Sequence, residues 1–498
     1  MSEENNIDWF NRKGVGVPNK TPILPDKTIV FTEDQKVAIQ GLIEFIDGDF
    51  NNANHMVGLV GAGGVGKTFV TNYIITHCKY SPSMIRCTST THKACRVFSE
   101  AIGNEKVYTI QSTFGLRLNL NLDNFDPKNP QFDPTASPKL DNIAVLIIDE
   151  ASMLTAGLVT YIYNKTKSLG IKVIMIGDDK QLAPVNERKS IAFSRCGKTF
   201  QLTTIVRQDK VNPIREILDL IRTDISHKTY KFIEFVSKNI GLNKINDDGE
   251  GFYICRSDEF ANVIEKSFKD EEYTKNIDMY RIVAYTNAKV SYWNTFVRNR
   301  IVQSADKNII TKHDLFMCYE TIVDDFNDVV MNNSEEYIIH DLADFVDPKY
   351  SFKGFLVRFQ KVHGGKVTAP TFIIDPNDNY TINMYHKTIS NLIQTAKSAT
   401  GGTRSAKWKA YYTFKRKYLL PTNVISKNGT ILYARDIDYG FAITSHKSQG
   451  STYDNVFVDL NDMLYDKNGR AYADVDDLLR RIYVACSRAR KRLVICYG

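Results

Sequence analysis

The sequence predicts an α/β protein with two parallel sheets, each interrupted by an insertion. Apolar runs alternate with helical patterns from residue 31 to about residue 216, and this alternation is typical of parallel sheets whose strands are joined by helices. A second series starts at IVAYTN (282–287) and, after about 120 residues of mixed character, resumes at FAITSH (441–446). Because 498 residues exceed what one hydrophobic core can organise, we expect about three domains.

The composition is that of a soluble globular protein, with 43% hydrophobic and 24% charged residues. Its eight cysteines are scattered and form no CxxC pair, which predicts reduced thiols in the cytoplasm. The N-terminus does not resemble a secretory signal and no apolar run is long enough to span a bilayer, so we expect no membrane partner. The net charge of +7 permits an anionic partner without identifying one.

A glycine-rich loop between a strand and a helix is the most informative motif. Residues 56–68 read MVGLVGAGGVGKT, which predicts a buried strand followed by a phosphate-binding P-loop. Backbone N–H groups of the loop would surround the phosphates, Lys67 would reach the β- and γ-phosphates, and the hydroxyl of Thr68 would bind Mg²⁺. The loop residues are Gly61, Ala62, Gly63, Gly64, Val65 and Gly66. The sequence therefore predicts ATP and Mg²⁺ as cofactors.

Polar side chains at the ends of later strands fit the same chemistry. Asp149 ends a continuous apolar strand and is placed to hold Mg²⁺, and Glu150 is a candidate general base for the water that attacks the γ-phosphate. Gln181, after the next strand, is a candidate contact to the γ-phosphate or to that water. Gln35, in FTEDQ, follows a predicted N-cap at Thr32 and either contacts the adenine edge or caps the helix.

The whole motif series resembles that of a known family. In order it reads GAGGVGKT, TTHKA, TIQSTFG, DEASM, GDDKQLAPV, LTTIVRQ, AYTNAKV, ITSHKSQGSTYDNV and YVACSRAR. This series is similar to that of superfamily 1 helicases, and most similar to the Dda-like and RecD-like branch, superfamily 1B. The resemblance implies an ATP-dependent DNA helicase that moves 5′ to 3′ on single-stranded DNA, with two RecA-like domains, a pin hairpin inserted in the first and an SH3-like insertion in the second.

The resemblance also implies domain bounds and nucleotide contacts. It adds Arg207 and Arg488 as arginines that reach the γ-phosphate, and Gln449 and Gly450 as residues that face the nucleotide. The expected organisation is an irregular leader (1–29), a first RecA-like domain (30–216) with its pin insertion (117–140), a helical bridging segment (217–280), a second RecA-like domain (281–312 and 432–498) and the SH3-like insertion (313–431).

Two segments that follow strands predict contact with a nucleic-acid backbone. Small polar and basic side chains suit phosphate contact without sequence readout, although helix capping is an alternative for the threonines and for Ser445. These candidates are Thr91, His92 and Lys93 in the first core, and Thr444, Ser445, His446 and Lys447 in the second. The resemblance adds Phe114 and Asn287.

Aromatic residues of the two insertions are further candidates. Phe132 matches the aromatic that the family uses at the pin tip, with Phe125 as its rival, and either ring could instead anchor the hairpin. Residues 403–418, TRSAKWKAYYTFKRKY, interleave basic and aromatic side chains, a mix that suits single-strand contact but equally makes an ordinary helix with packed aromatics.

Three alternative functions share some of these motifs. One is a single-strand translocase that displaces bound proteins, another is a P-loop phosphotransferase or switch without nucleic acid, and the third is a subunit of a larger helicase and nuclease complex. For the helicase we expect a monomer that acts on single-stranded DNA and forks, with a single-strand-binding or replication protein as a further partner. The resemblance implies a bacteriophage origin, the cytoplasm of a bacterial host as the location, and a role in replication or recombination.

Overall fold

The structure is a computed structural model, and it describes most of the chain from Val30 onward. The described residues are 30–103, 106–118, 132–134, 136–184, 187, 190–204, 212–302, 305, 308–319, 321–323, 329–362, 365–400, 402–425 and 431–498. The expected leader, 1–29, lies outside them. Among the described helices, none is long and apolar enough to cross a membrane. The chain divides into two units.

The first unit contains a six-stranded parallel sheet with strand order β3-β2-β6-β7-β1-β8. Its strands are β1 (Met56–Gly61), β2 (Ile85–Ser89), β3 (Tyr108–Thr109), β6 (Val145–Ile148), β7 (Lys172–Gly177) and β8 (Lys198–Leu202). Its helices are α1 (Glu33–Asp47), α2 (Lys67–His77), α3 (His92–Ile102), α4 (Ile110–Phe114) and α5 (Ala156–Leu169). This parallel α/β arrangement is the one that the alternation of strand and helix patterns predicts.

Helix α1 shows how local sequence sets this fold. Thr32 caps the helix, and its backbone N–H donates to the Gln35 side chain at 3.2 Å, which completes a capping box. Ile39, Leu42, Ile43 and Ile46 are buried in the core, whereas the side chain of Val37, which the sequence places on the same apolar face, is 63% exposed. Gln35 and Ala38 are buried instead, so the start of the buried face is rotated away from Val37.

A short antiparallel hairpin occupies the predicted pin segment. Strands β4 (Leu116–Leu118) and β5 (Phe132–Pro134) pair with Leu118 opposite Phe132, and the Ala136 N–H donates to the Gly115 carbonyl at 3.2 Å at its base. Gly115 has φ +63°, and a Cβ there would lie 2.4 Å from the Ala136 carbonyl oxygen, so the close turn requires glycine. The rival aromatic, Phe125, lies outside the described residues.

The second unit contains another six-stranded sheet, with strand order β22-β11-β23-β24-β10-β9. It is parallel except for the antiparallel β9–β10 pair. Its strands are β9 (Asn243–Ile245), β10 (Gly251–Cys255), β11 (Tyr280–Ala284), β22 (Ala442–Thr444), β23 (Tyr453–Asp459) and β24 (Ala489–Cys496). Its helices are α6 (Ile214–His227), α7 (Lys231–Lys238), α8 (Ser257–Phe268), α9 (Glu271–Lys275), α10 (Asn287–Ile301), α13 (Ser445–Ser448), α14 (Leu460–Leu464) and α15 (Val475–Cys486).

One feature of this sheet differs from the expected domain organisation. The segment 217–280, expected to be a helical bridge, also supplies β9 and β10, and β10 pairs with β24 close to the C-terminus. The apolar run at 251–255, GFYIC, is short, and stronger helical patterns precede and follow it. Periodicity therefore does not predict a strand at this position. The second sheet therefore draws strands from residues that precede 281.

The insertion of the second unit is a third six-stranded sheet, with strand order β18-β17-β16-β15-β12-β21. Its strands are β12 (Leu315–Cys318), β15 (Glu336–Val346), β16 (Lys353–Lys361), β17 (Thr371–Ile374), β18 (Tyr418–Leu419) and β21 (Ile437–Tyr439), and the pairs β13 (Ile322–Val323) with β14 (Val329–Met331) and β19 (Val424–Ile425) with β20 (Ile431–Tyr433) stand apart. Helices α11 (Asn379–Ser398) and α12 (Thr403–Lys417) complete it.

The sequence left two interpretations of residues 403–418, and the structure decides between them. The segment is helix α12, and the side chains of Trp408, Tyr411 and Phe414 are buried in a cluster with Tyr385 of α11. Aromatic rings packed in this way are not available to stack on bases. The ordinary helix with packed aromatics is therefore the correct interpretation.

Candidate functional site

Three neighbouring strands of the first sheet end at the same edge. Strand β7 pairs in parallel with β6 on one side and with β1 on the other. Asp149 and Glu150 follow β6, Gln181 follows β7, and the glycine-rich loop follows β1. Because the carboxyl ends of parallel strands meet at one edge, the fold brings together residues that are far apart in sequence.

The glycine-rich loop has the backbone conformation that a phosphate-binding loop requires. Gly64 and Gly66 have φ +85° and +86°, and α2 starts directly after Gly66 at Lys67. The Lys67 ammonium donates to the carbonyls of Gly61 and Ala62 at 2.8 and 2.9 Å. The loop is thus closed by its own lysine, and Thr68 occupies the first turn of α2.

The two carboxylates after β6 lie in contrasting surroundings. Burial, and to a smaller extent the Glu150 charge, raise the pKa of Asp149 to about 7, and the Lys67 ammonium opposes both effects. Glu150 has φ +54° and ψ +38°, a left-handed conformation that costs a non-glycine residue about 1 to 2 kcal/mol. Its buried Oε2 atom accepts no hydrogen bond from the described residues. A strained carboxylate with one buried oxygen atom that has no partner is typical of functional sites.

Replacing Asp149 by asparagine is expected to stabilise the free protein at pH 8 but not near pH 4. The carboxyl keeps its proton in the folded state up to about pH 7, whereas in the unfolded chain it ionises near pH 4, so the free energy of unfolding falls as pH rises through this window. Asparagine cannot ionise, so the variant avoids this loss of stability, which is about 2 to 4 kcal/mol at pH 8. Urea titrations at both pH values measure the free energies of unfolding, and substitution of the exposed residue Asp141 by asparagine is the control. An equal gain at both pH values would contradict the assignment.

Gln35 is buried, and both ends of its amide have partners within the protein. Its Oε1 accepts from the Thr32 N–H at 3.2 Å and its Nε2 donates to the Val65 carbonyl at 3.0 Å. The capping interpretation therefore describes this structure, and the amide also links α1 to the glycine-rich loop.

Asp34 is a positioning residue that the sequence pattern does not reveal. Its Oδ2 accepts from the backbone N–H groups of Thr203 and Thr204 at 2.6 and 2.7 Å, although 169 and 170 residues separate them. Burial works against ionisation, but these bonds and those from the side chains of Thr32 and Thr204 lower the pKa of Asp34 well below its usual range. The residue fixes the end of β8, where the chain continues towards Arg207.

Gln181, a further predicted nucleotide contact of the first unit, lies in a turn. Gln181 is 8% exposed and its N–H donates to the Asp178 carbonyl at 3.2 Å, in a turn that the Asp178 carboxylate also supports through the Lys180 N–H at 3.0 Å. Arg207 lies outside the described residues.

In the second sheet, Arg488 holds the loop that contains Gln449 and Gly450. Its guanidinium donates to the carbonyls of Ser451 and Val484 at 3.1 and 3.0 Å and to that of Ser448 at 3.5 Å. Gly450 has φ +70°, and the side chains of Gln449 and Arg488 are each 7% exposed. In this structure Arg488 thus braces the turn at 448–451.

The strand-contact candidates of the first unit divide into two groups. Thr91 caps α3 through the Ala94 N–H at 3.1 Å, His92 is exposed and Lys93 is buried. The expected contact of Phe114 with DNA is not supported by the structure. Its side chain is fully buried in the core and packs edge-on against Tyr161, so the ring cannot reach a base. The resemblance alone assigned Phe114 to DNA contact, and no periodicity in the surrounding sequence predicts that its side chain is buried.

The candidates of the second unit cluster after β22 and β11. Thr444 caps α13 through the Lys447 N–H at 3.2 Å, and the buried Ser445 hydroxyl has no hydrogen-bond partner among the described residues. Burial lowers the pKa of His446, with the nearby Asp477 and Arg481 acting in opposite directions. The Lys447 ammonium lies 3.7 Å from the centroid of the Tyr319 ring, which belongs to the insertion.

Two residues that sequence reasoning missed organise this second cluster. Asp462 accepts from the N–H groups of Tyr285 and Thr286 at 2.7 and 2.8 Å and so fixes the turn before the exposed Asn287. The guanidinium of Arg481 lies over the rings of Tyr285 and Tyr472, 3.7 and 4.7 Å from their centroids. No local spacing connects these residues, so only the three-dimensional structure shows them.

Comparisons with known proteins agree with this geometry. Residues 33–238 match the family model described as an AAA domain, and residues 439–496 match the UvrD-like helicase C-terminal domain. The chain is 24% identical over 530 residues to "Uncharacterized protein R530" of Acanthamoeba polyphaga mimivirus, covering 93% of this chain and 99% of that protein.

Solved structures of similar fold include two helicases. A Pif1 helicase from Bacteroides in complex with ADP-AlF3 and ssDNA is 17% identical and covers 94% of this chain and 92% of its own, with a TM-score of 0.47. Pif1 helicase from Candida albicans is 17% identical with 95% coverage of both chains and a TM-score of 0.46.

The glycine-rich loop, the carboxylates after β6 and the two mainly parallel sheets define the chain as an α/β protein with a P-loop nucleotide site. The UvrD-like match near the C-terminus and the motif series make the chain similar to helicases of superfamily 1B.

Proposed function

We propose that the protein is an ATP-dependent DNA helicase that moves 5′ to 3′ on single-stranded DNA and unwinds duplexes. One observation carries the proposal. Strands β6, β7 and β1 are neighbours and end in Asp149–Glu150, Gln181 and the glycine-rich loop, the set needed to bind and hydrolyse ATP. The match to the UvrD-like helicase C-terminal domain supports strand movement as the use of ATP hydrolysis.

The nucleotide chemistry follows from the residues at this edge. Lys67 and the loop N–H groups bind the phosphates, Glu150 accepts the proton of the attacking water, and Gln181 orients that water. Arg207 and Arg488 stabilise the charge that develops on the γ-phosphate. Gln449, Gly450 and, by its buried amide, Gln35 support the same nucleotide.

The donor set fits Mg²⁺. Thr68 and Asp149 would hold the ion, which supplies charge neutralisation between the phosphates when bound. A threonine hydroxyl and one carboxylate, together with phosphates and water, are the oxygen ligands that Mg²⁺ usually has in proteins.

The strand contacts come from both units in this proposal. Thr91, His92 and Lys93 in the first unit, and Asn287, Thr444, Ser445, His446 and Lys447 in the second, contact phosphates of the single strand. Thr91 and Thr444 already cap helices through their hydroxyls, so their remaining lone pairs and the adjacent N–H groups are what a phosphate would meet. Such contacts grip any sequence, as movement along a strand requires.

Strand displacement tests the proposal directly. Two duplexes that differ only in a 5′ or a 3′ single-stranded tail are incubated with ATP and Mg²⁺. Unwinding of the 5′-tailed duplex alone is the expected result. A preference for the 3′ tail would overturn the polarity, and ATPase stimulated by single-stranded DNA without unwinding would assign a translocase. ATPase indifferent to single strands would assign a phosphotransferase or switch.

The remaining proposals concern the source of the protein, its biological role and its partners. The motif series supports a phage protein that acts in replication or recombination in the cytoplasm of a bacterial host. We propose that it works as a monomer together with a single-strand-binding or replication protein. Copurification from infected cells and size analysis of the purified chain measure these two points.

Replacing Phe132 by alanine is expected to reduce unwinding at least about tenfold while ATPase stimulated by single-stranded DNA persists. The residue lies in β5 of the hairpin, and an aromatic ring stacked on a base is worth about 1 to 3 kcal/mol, comparable with the roughly 1.4 kcal/mol of one base-pair step. Parallel measurement of unwinding and ATPase checks it, with Phe125→Ala as the matched variant. Loss of unwinding only in the Phe125 variant would move the pin assignment to that residue.

A further inference from the structure

Positive charge is concentrated in one segment of the insertion. Residues 379–435 contain ten Lys and Arg residues and no Asp or Glu. The rest of the chain has 57 acidic against 54 basic residues, so this segment accounts for more than the whole net charge of +7. An average composition would not remove every acid from so long a stretch, and the charge asymmetry calls for an anionic partner.

The structure places most of these charges on the outside of a helix pair. Helices α11 and α12 pack through Tyr385, Ile389, Trp408, Tyr411 and Phe414, which form one buried cluster. The cations are carried on the solvent side of the two helices. The exposed ones are Lys387 and Lys397 on α11 and Lys407, Lys409, Arg416 and Lys417 on α12. We call these six residues the basic face.

The basic face is not neutralised within the protein. Lys415 pairs with Asp436 at 2.5 Å and Arg435 with Asp438 at 2.8 Å, so these two cations have structural roles. None of the six residues of the basic face has a carboxylate within 4.0 Å in the part of the chain that the structure describes. Their charge is therefore directed to solvent.

Helix electrostatics do not account for this arrangement. Cations in the last turn of α12, Arg416 and Lys417, favour the negative end of the helix dipole, but Lys407 and Lys409 lie in the first half of the helix and gain nothing from it. Lys409 and Arg416 are seven residues apart and so lie on one face of the helix, about 10 Å apart along its axis. Lys417, at the next position, lies on the adjacent side, so these three residues form one cluster of positive charge on α12, whereas Lys407 lies on the opposite side of the helix. Such a cluster can contact several phosphates at once.

We propose that the basic face binds the phosphate backbone of duplex DNA, an inference that rests on the proposed helicase function. Single strands are held by stacked bases as well as by phosphates, but the rings of Trp408, Tyr411 and Phe414, which lie between the cations of α12, are buried and cannot stack. The exposed ring of Tyr380 lies at the start of α11, seven residues before Lys387. The cations therefore offer mainly phosphate contact, and duplex DNA has the denser charge, one per about 1.7 Å of axis. The insertion thus holds the unopened duplex while the strand contacts hold the single strand.

The test compares two triple variants of the full-length protein. Lys409→Ala, Arg416→Ala and Lys417→Ala together remove three charges of the basic face. Lys238→Ala, Lys269→Ala and Lys275→Ala remove three exposed charges that are ion-paired with Glu234, Glu265 and Glu272, so the change in net charge is the same. Fluorescence anisotropy measures binding of a blunt DNA duplex and of a single strand of equal length over a range of salt concentrations, and a thermal melt confirms folding.

We expect the basic-face variant to lose about tenfold or more in duplex affinity and to lower the salt slope by about 2 to 3, because each lost phosphate contact removes about 0.9 from it. Its single-strand affinity and DNA-stimulated ATPase should change by less than about twofold. Unchanged duplex binding, an equal loss in the control triple, or an equal loss for single strands would each overturn the proposal. If single-stranded DNA fails to stimulate the ATPase of the unmodified protein, the helicase proposal falls, and the duplex titration still decides the basic face.

Discussion

Replacing Lys67 by alanine is expected to lower ATP hydrolysis at least about 10²- to 10³-fold, the usual cost of removing one group that stabilises the transition state. The ammonium is half-buried in the glycine-rich loop and donates to the carbonyls of Gly61 and Ala62. In the proposed function the same ammonium neutralises charge on the β- and γ-phosphates, and no other residue of the loop carries a positive charge. Steady-state phosphate release with saturating single-stranded DNA measures the loss.

A second variant separates the charge of Lys67 from its shape. Lys67→Arg keeps the positive charge but replaces a compact ammonium by a planar fork that does not fit the closed loop, so we expect it to be almost as inactive as the alanine variant. Both variants should melt within a few degrees of the unmodified protein, because the two lost hydrogen bonds are local. Hydrolysis within about tenfold of normal in Lys67→Ala would contradict the assignment of the nucleotide site.

Replacing Arg488 by alanine is expected to reduce hydrolysis about 10³- to 10⁵-fold, the range measured for arginines that stabilise phosphoryl transfer. In this structure the guanidinium donates to the carbonyls of Ser448, Ser451 and Val484, so the side chain also has a structural role. Alanine leaves these buried carbonyls without their donor, at about 1 to 3 kcal/mol for an unsatisfied group. A loss of activity and a loss of stability are therefore expected together.

Two further measurements distinguish the roles of Arg488. A purely structural arginine would lose activity in proportion to unfolding, whereas a residue that contacts the transition state loses hydrolysis in protein that is still folded and still binds an ATP analogue. Arg490→Ala is the matched control, because Arg490 is two residues away in β24, is half-exposed and lies 3.5 Å from Asp454. Equal losses in the two variants, or normal hydrolysis in folded Arg488→Ala, would contradict the assignment.

Much of the fold was predictable because its signals are local. The capping box of α1 lies within four residues, the glycine-rich loop within eight, and the apolar strand before Asp149 within six. Each element is fixed by its own residues, and the parallel sheet follows from their alternation. The strand order then determines that Asp149, Gln181 and Lys67 share one edge.

What could not be predicted depends on contacts between distant residues. The bond from Thr203 to Asp34 spans 169 residues, and that from Tyr285 to Asp462 spans 177. The burial of Phe114 depends on a ring in another helix, Tyr161. Strand β10 is stabilised by pairing with β24, the last strand of the chain. Periodicity within a short window carries no information on such partners, because each side chain is compatible with several environments until the sheet is assembled.

The left-handed backbone of Glu150 has an evolutionary consequence. Glycine or asparagine would adopt this conformation more easily, so the residue that best suits the backbone differs from the one that the proposed ATP hydrolysis needs. If Glu150 has the proposed role, selection for hydrolysis acts continuously against this local preference. A copy of the gene released from that selection, after duplication for example, is expected to drift to glycine or asparagine at position 150 early and to gain thermal stability as its activity disappears.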